Sequence, residues 1–213
     1  MMFDRERREL RQDQNPDPLA DFDLSLIDLI PSERDQKGLK EMHHQEAIEL
    51  RSGKLKQRMS EVLGKEIAPG EINQLFQFPE RGIESQTLMS TGEHSNYLET
   101  ETILYTRKNG EAQLAGRTNL AFIKGANPIL LIRYCELEKT GEQLGIEIQC
   151  RLEKFCRDNG IWEILNVARS QPANYFGRGN RSEIGAYVWA LCGFEFNSGA
   201  EALGVMQIYG IQS

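Results

Sequence analysis

The chain has no apolar run approaching the roughly 20 residues that a membrane-spanning helix needs. It begins Met1-Met2-Phe3-Asp4-Arg5-Glu6, without the apolar stretch of a secretory leader. A cytoplasmic protein with no membrane partner is therefore expected. Cysteine is scarce: Cys135, Cys150, Cys156 and Cys192 form no Cys-x-x-Cys pair and have no histidine at zinc-ligand spacing. Each lies in an apolar periodic segment, so buried thiols are expected, not metal ligands or disulfides. There is no surplus of basic charge either, with 25 Lys and Arg against 32 Asp and Glu and a formal net charge of −7. That balance argues against a broad nucleic-acid-binding surface. The chain contains no Gly-x-Ser-x-Gly, no P-loop, no Cys–His nucleophile arrangement and no internal repeat.

What is present fits a globular domain. The 213 residues are 39% hydrophobic and 27% charged, enough to bury a core. Residues 1–20 carry Asn15-Pro16 and Asp17-Pro18 without a hydrophobic period and read as an N-terminal arm. Residues 21–213 read as a single domain. Alternation of Phe22, Leu24 and Leu26 with Asp21, Asp23 and Ser25 predicts a short strand. Ser32, with Asp35 three residues on, marks a helix start. The apolar stripe from Leu39 to Leu63, interrupted at Ser52-Gly53, predicts two helices. The stretch near 65–96, with Pro69, Gly70, Pro79, Gly82 and Gly92, reads as an insertion holding one short helix around 71–78. Tyr97–Arg107 and Ala112–Ile123 are strand-like runs flanking Asn109-Gly110, a strong hairpin signal.

A buried strand, Ile129–Leu137, then leads through Glu138-Lys139-Thr140-Gly141-Glu142-Gln143-Leu144-Gly145 into an amphipathic helix that stops at Asp158-Asn159-Gly160. A second buried strand over 161–167, a Gly-rich loop, a helix around 184–191 and two short strands near 194–196 and 204–209 complete the order. This order, with Gly185-Ala-Tyr-Val-Trp-Ala-Leu-Cys-Gly-Phe194 near its end, resembles the acetyl-CoA-dependent N-acetyltransferase superfamily, GNAT, across roughly residues 20–212. The resemblance implies an α/β (α+β) fold with a mixed, mostly antiparallel central sheet flanked by helices. It also implies acetyl-CoA or another acyl-CoA as cofactor, no metal, and a small-molecule or protein amine as acceptor; an oligomer is compatible with it.

In that family two neighbouring strands splay, a pantetheine arm lies between them, and the pyrophosphate rests on the turn into the next helix, where glycine lets backbone N–H groups approach. The resemblance places that turn on Leu137, Thr140, Gly141, Glu142, Gln143, Leu144, Gly145 and Ile146. Gly145 matches the first small residue of the family pattern. Glu147 stands where a second is expected, and Glu142 where an amide or base is expected. Lys139 and Arg151 supply nearby positive charge. A plain strand-to-helix turn, with acidic residues at a helix N-terminus, stays open beside this reading.

By the same resemblance the general base falls to Glu136 or Glu138 at the strand end. The acid, a tyrosine about four residues before the Gly of Gly-Phe, falls on Trp189, which has no suitable proton; Tyr187, two residues earlier, is the nearby tyrosine. Two functions follow: transfer of an acetyl or acyl group to an amine, or a catalytically lapsed GNAT-fold module serving binding or assembly. The loop containing Tyr175, Phe176, Arg178 and Arg181 combines aromatic and guanidinium groups suited to a phosphate, a carboxylate or a partner. Two weaker signals read as solvated faces: His43-His44-Gln45-Glu46 on a helix and Glu99-Thr100-Glu101 on a strand.

Overall fold

A computed structural model describes residues 22–67, 69–91, 96–138 and 144–166. A 3-10 turn (Leu24–Leu29) opens the fold, followed by helices α1 (Glu33–Ser52), α2 (Lys54–Leu63) and α3 (Pro69–Leu75) and a second 3-10 turn (Pro79–Arg81). Strands β1 (Ile83–Ser90), β2 (Tyr97–Lys108), β3 (Glu111–Ile123) and β4 (Ile129–Leu137) come next, then α4 (Leu144–Asp158) and β5 (Glu163–Asn166). The strands form one sheet in the order β1-β2-β3-β4-β5. The first four pair antiparallel and β5 lies parallel to β4, so a crossover is required, and α4 supplies it. The chain therefore has the expected mixed, mostly antiparallel sheet flanked by helices.

Local chemistry accounts for the element ends. The Ser32 hydroxyl accepts the Asp35 N–H at the start of α1, and Gly53, at φ 73°, takes the left-handed turn that separates α1 from α2. Asn109 and Gly110 both have positive φ, 54° and 87°, matching the primed turn of a two-residue hairpin between β2 and β3. Alternation along β2 then sends its residues to two cores. Leu98 and Leu104 pack with α2, α3 and α4, alongside Phe76, Phe122, Leu130 and Leu152. On the opposite face Ile103 and Tyr105 pack with Leu26, Ile27, Ile30 and Leu39 of the first turn and α1.

Several expectations need correction. The strand over 22–26 is a 3-10 turn, because the Asp23 carboxylate accepts both the Ser25 N–H and hydroxyl and Leu26, Ile27 and Ile30 are all buried, which strict alternation does not allow. The 65–96 stretch supplies α3 and β1, with Ile67, Ile72, Phe76 and Phe78 fully buried in the larger core. The 161–167 strand is shorter and half-exposed where described, with Trp162 82% exposed. Cys150 is exposed, while burial pushes the Cys135 and Cys156 thiols up to about 12. No helix among the described residues is long and apolar enough to cross a membrane. The 1–20 arm, the loop with Tyr175, Phe176, Arg178 and Arg181, and Tyr187, Trp189 and Cys192 lie outside the described residues, as do Thr140, Gly141, Glu142 and Gln143 of the turn.

Candidate functional site

A register shift shapes the sheet at this end. Between β3 and β4, Asn119 pairs with Tyr134 while Leu120 pairs with Ile132, leaving Arg133 as the extra residue of a β-bulge. The bulge sends Arg133 and Tyr134 to the same face, the face that β2 occupies with Glu99 and Glu101. At the far end of β4, Gly116 of β3 lies against the backbone: a Cβ there would meet the Glu136 carbonyl oxygen at 2.5 Å. Only glycine lets the two strands stay paired at this point.

β4 outruns β5. The parallel pairing runs from Ile129 with Glu163 to Ile132 with Asn166 and goes no further among the described residues. From Arg133 to Leu137, β4 has β3 on one side and no described strand on the other. Alternation then divides the predicted residues between the two faces. Leu137 packs at the edge of the larger core, near Leu144 and Gly145 at the start of α4, whereas Glu136 and Glu138 line a cleft on the opposite face.

The cleft has a volume of about 170 Å³, with walls from Pro31, Ser32 and Asp35 on one side and Gly116, Arg117, Glu136 and Glu138 on the other. Arg117 spans it, with Nε 2.8 Å from Glu136 and Nη1 2.8 Å from Asp35. Burial opposes the Arg117 charge, but hydrogen bonds to Glu136 and Asp35, with Tyr134 nearby, outweigh it and hold its basicity above the ordinary arginine value. The Tyr134 ring lies under the guanidinium at 5.0 Å.

Behind Tyr134 lies a network that the sequence reading placed on a solvated strand face. Glu101 is only 3% exposed. It accepts hydrogen bonds from the Tyr134 hydroxyl and, at 2.9 Å, from Asn119 Nδ2. The same Nδ2 donates to Glu99 at 2.8 Å, and Arg133 donates to Glu99 at 2.8 Å while stacking over Tyr97. Burial pushes the Glu101 carboxyl up to about 7, against the pull of Tyr134, Asn119 and Arg117. Burial and Glu101 together push the Tyr134 hydroxyl upward as well. A carboxyl that titrates near neutrality beside the cleft is a functional-site marker. The Glu-x-Glu spacing on a strand was its visible signal, but the partners came only with the strand register.

His43 and Glu46 also depart from the solvated reading. Glu46 and Glu49 are buried and accept the Met89 and Thr91 N–H groups along the outer edge of β1. They satisfy an edge strand, and no group of three or more His, Cys, Asp or Glu suited to a metal ion occurs among the described residues.

At the start of α4, Leu144 is buried, Ile146 is exposed, and a Cβ on Gly145 would meet nothing nearer than Leu137 Cδ1 at 3.9 Å. Glu147, the acidic departure from the family pattern, is gripped by Arg81 at 3.0 Å and Arg151 at 3.2 Å. Arg151 also donates to the Gln77 and Gln74 carbonyls and lies 4.0 Å over the Phe78 ring. The negative charge beside the turn is thereby compensated within the fold.

No family model and no curated protein matches the chain. Among solved structures it overlaps a glucosamine-6-phosphate N-acetyltransferase from Arabidopsis thaliana at 14% identity and a TM-score of 0.34, covering 47% of this chain and 63% of that one. A putative acetyl transferase from Pyrococcus furiosus overlaps at 18% identity and a TM-score of 0.27, covering 39% and 61%. A Trypanosoma brucei acetyltransferase overlaps at 13% identity and a TM-score of 0.29, covering 60% and 87%. The chain thus spans less than two thirds of the first two of these structures. Overlaps of this extent say nothing of activity.

Proposed function

We propose that this chain is an acyl-CoA-dependent N-acyltransferase-like protein that passes an acetyl or acyl group to an amine. The observation that supports it is the end of β4, which continues beyond its described pairing with β5 and is followed in the chain by a helix with Gly145, a structurally unforced glycine, in its first turn. An extended strand segment with no described strand on one side suits an amide-bearing pantetheine arm, and a helix start suits a pyrophosphate. On this reading Gly145, with Leu137, Thr140, Gly141, Glu142, Gln143, Leu144 and Ile146, holds the cofactor. Acyl-CoA, when bound, supplies the activated thioester. Glu136 or Glu138 takes the amine proton from the cleft side, and the loop bearing Tyr175, Phe176, Arg178 and Arg181 contributes to binding.

Thermal unfolding with added acetyl-CoA tests the reading. A ligand that binds the folded state alone at about 100 times its Kd adds about 2.7 kcal/mol of stability, so the melting temperature should climb with acetyl-CoA concentration. Gly145→Val should abolish the climb while the protein still folds, since a Cβ there meets nothing nearer than Leu137 Cδ1 at 3.9 Å among the described residues. No shift with acetyl-CoA or longer acyl-CoAs would sink the enzyme reading and leave the lapsed binding or assembly module.

A further inference from the structure

Three adjacent strands gather Glu99 and Glu101, Arg117 and Asn119, and Arg133 and Tyr134 into one polar patch whose front is the cleft. The links run in series. Glu101 holds the Tyr134 hydroxyl, the Tyr134 ring seats Arg117, and Arg117 ties Asp35 of α1 to Glu136 of β4. We propose that Glu101 is a positioning residue for this cleft, acting through Tyr134 on Arg117, so that gain or loss of a proton at Glu101 changes how Arg117 holds Asp35 and Glu136. The inference concerns the cleft assigned above to the acyl acceptor, and its relevance to transfer rests on that reading.

The hydrogen-bond inventory shows why the two protonation states differ. Ionised, Glu101 is an acceptor only; one oxygen takes the Tyr134 proton and the other takes an Asn119 proton. Protonated, it becomes a donor and needs an acceptor of its own. Two are at hand. The Tyr134 oxygen can accept, in which case the Tyr134 O–H turns away from Glu101. Alternatively Asn119 can turn its amide over and offer Oδ1, which is buried and has no partner among the described residues. That turn removes the amide from Glu99 and leaves Arg133 as its hydrogen-bond donor among the described side chains. Either route breaks a bond that the ionised state makes.

The charged and titratable groups facing Glu101 come from every strand around it. They are Glu99 on β2 itself, Arg117 on β3, and Tyr134 on β4, while β1 places Leu88 directly opposite. From α1, Asp35 reaches the network through Arg117, and Glu46 and Glu49 sit at the outer edge of β1. Burial in this company keeps the Glu101 transition near neutral pH, where it can be followed without unfolding the chain.

The test uses the full chain, without acyl-CoA, labelled with nitrogen-15 arginine. The Arg117 Nε–H resonance, assigned by its loss in Arg117→Lys, is followed between about pH 5 and about pH 9. A transition centred near pH 7 is expected in the wild type. It should vanish in Glu101→Gln and in Tyr134→Phe, the second of which keeps the carboxyl and removes only the hydroxyl link. A flat wild-type signal, or a transition retained in either variant, overturns the inference. Should Glu101→Gln fail to fold by circular dichroism, Tyr134→Phe decides alone. Acetyl-CoA is added to the same samples afterwards. A transition without cofactor binding upholds the positioning role and sinks the acyltransferase reading, and cofactor binding without a transition does the reverse.

Discussion

Two buried carboxyls should make this protein more stable in mild acid than in mild base. Burial raises both Glu46 and Glu101 from an ordinary 4.5 to about 7; the Met89 N–H partly offsets it at Glu46, and Tyr134 and Asn119 do so at Glu101. Between these values the folded chain holds protons that the unfolded chain has released. Stability is therefore fully present below about pH 4.5 and is lost as pH rises through about pH 7. At 1.36 kcal/mol per pH unit, each group contributes about 3 kcal/mol to that decline. Together this is a large part of the roughly 5–15 kcal/mol that holds a domain folded. Urea unfolding in a pH series measures it directly. Glu46→Gln keeps an acceptor for the Met89 N–H and removes the buried charge, so its urea midpoint should exceed the wild type's at pH 8 or so and lose the advantage near pH 5. Glu101→Gln should flatten the remaining slope. A wild-type stability that is level or rising between about pH 5 and pH 7.5 would refute the reasoning.

Other perturbations probe separate parts of the structure. Gly116→Val drives a side chain into the Glu136 carbonyl and should cost about 1–3 kcal/mol, read as a lower urea midpoint with little change in slope; a neutral effect would contradict the close β3–β4 approach. Ser32→Ala removes the α1 cap and should cost about 1 kcal/mol by the same assay. A maleimide at neutral pH should label Cys150 rapidly and leave Cys135 and Cys156 unlabelled in the folded chain, with peptide mapping as the readout.

The elements most legible in the sequence were those written in local chemistry. Asn109-Gly110 specifies its turn by positive φ, Ser32 its helix start, Gly53 the break between α1 and α2, and none of these depends on a distant partner. The misreadings involve distant partners. Asp23 looked like part of an alternating strand, yet its N–H is satisfied by Gln86 in β1, and its side chain closes a turn on Ser25. Glu46, Glu99 and Glu101 looked solvated because charged residues usually are. Each is instead held by partners far along the chain: Met89, Asn119, Arg133 and Tyr134. No spacing rule in one segment can announce such pairings.

The β4 bulge explains why the candidate site was only half visible. Strict alternation from Ile132 would send Arg133 and Tyr134 to opposite faces, and a sequence pattern carries no mark of the extra residue. With the bulge, both side chains join Glu99 and Glu101, and the carboxylates at Glu136 and Glu138 come onto that same face. Leu137 remains on the other face, against the start of α4. The glycine that the sequence singled out and the acids it nominated therefore occupy opposite faces of one strand. Leu137, 3.9 Å from a Cβ on Gly145, stands between Glu136 and Glu138 in the chain, beyond the last described pairing of β4 with β5. A reaction joining a ligand at Gly145 to an acceptor in the cleft has to take place across that stretch of β4. On the proposed reading Tyr134 and Arg117 beside it would bear on transfer, while the glutamates along the edge of β1 bear on stability.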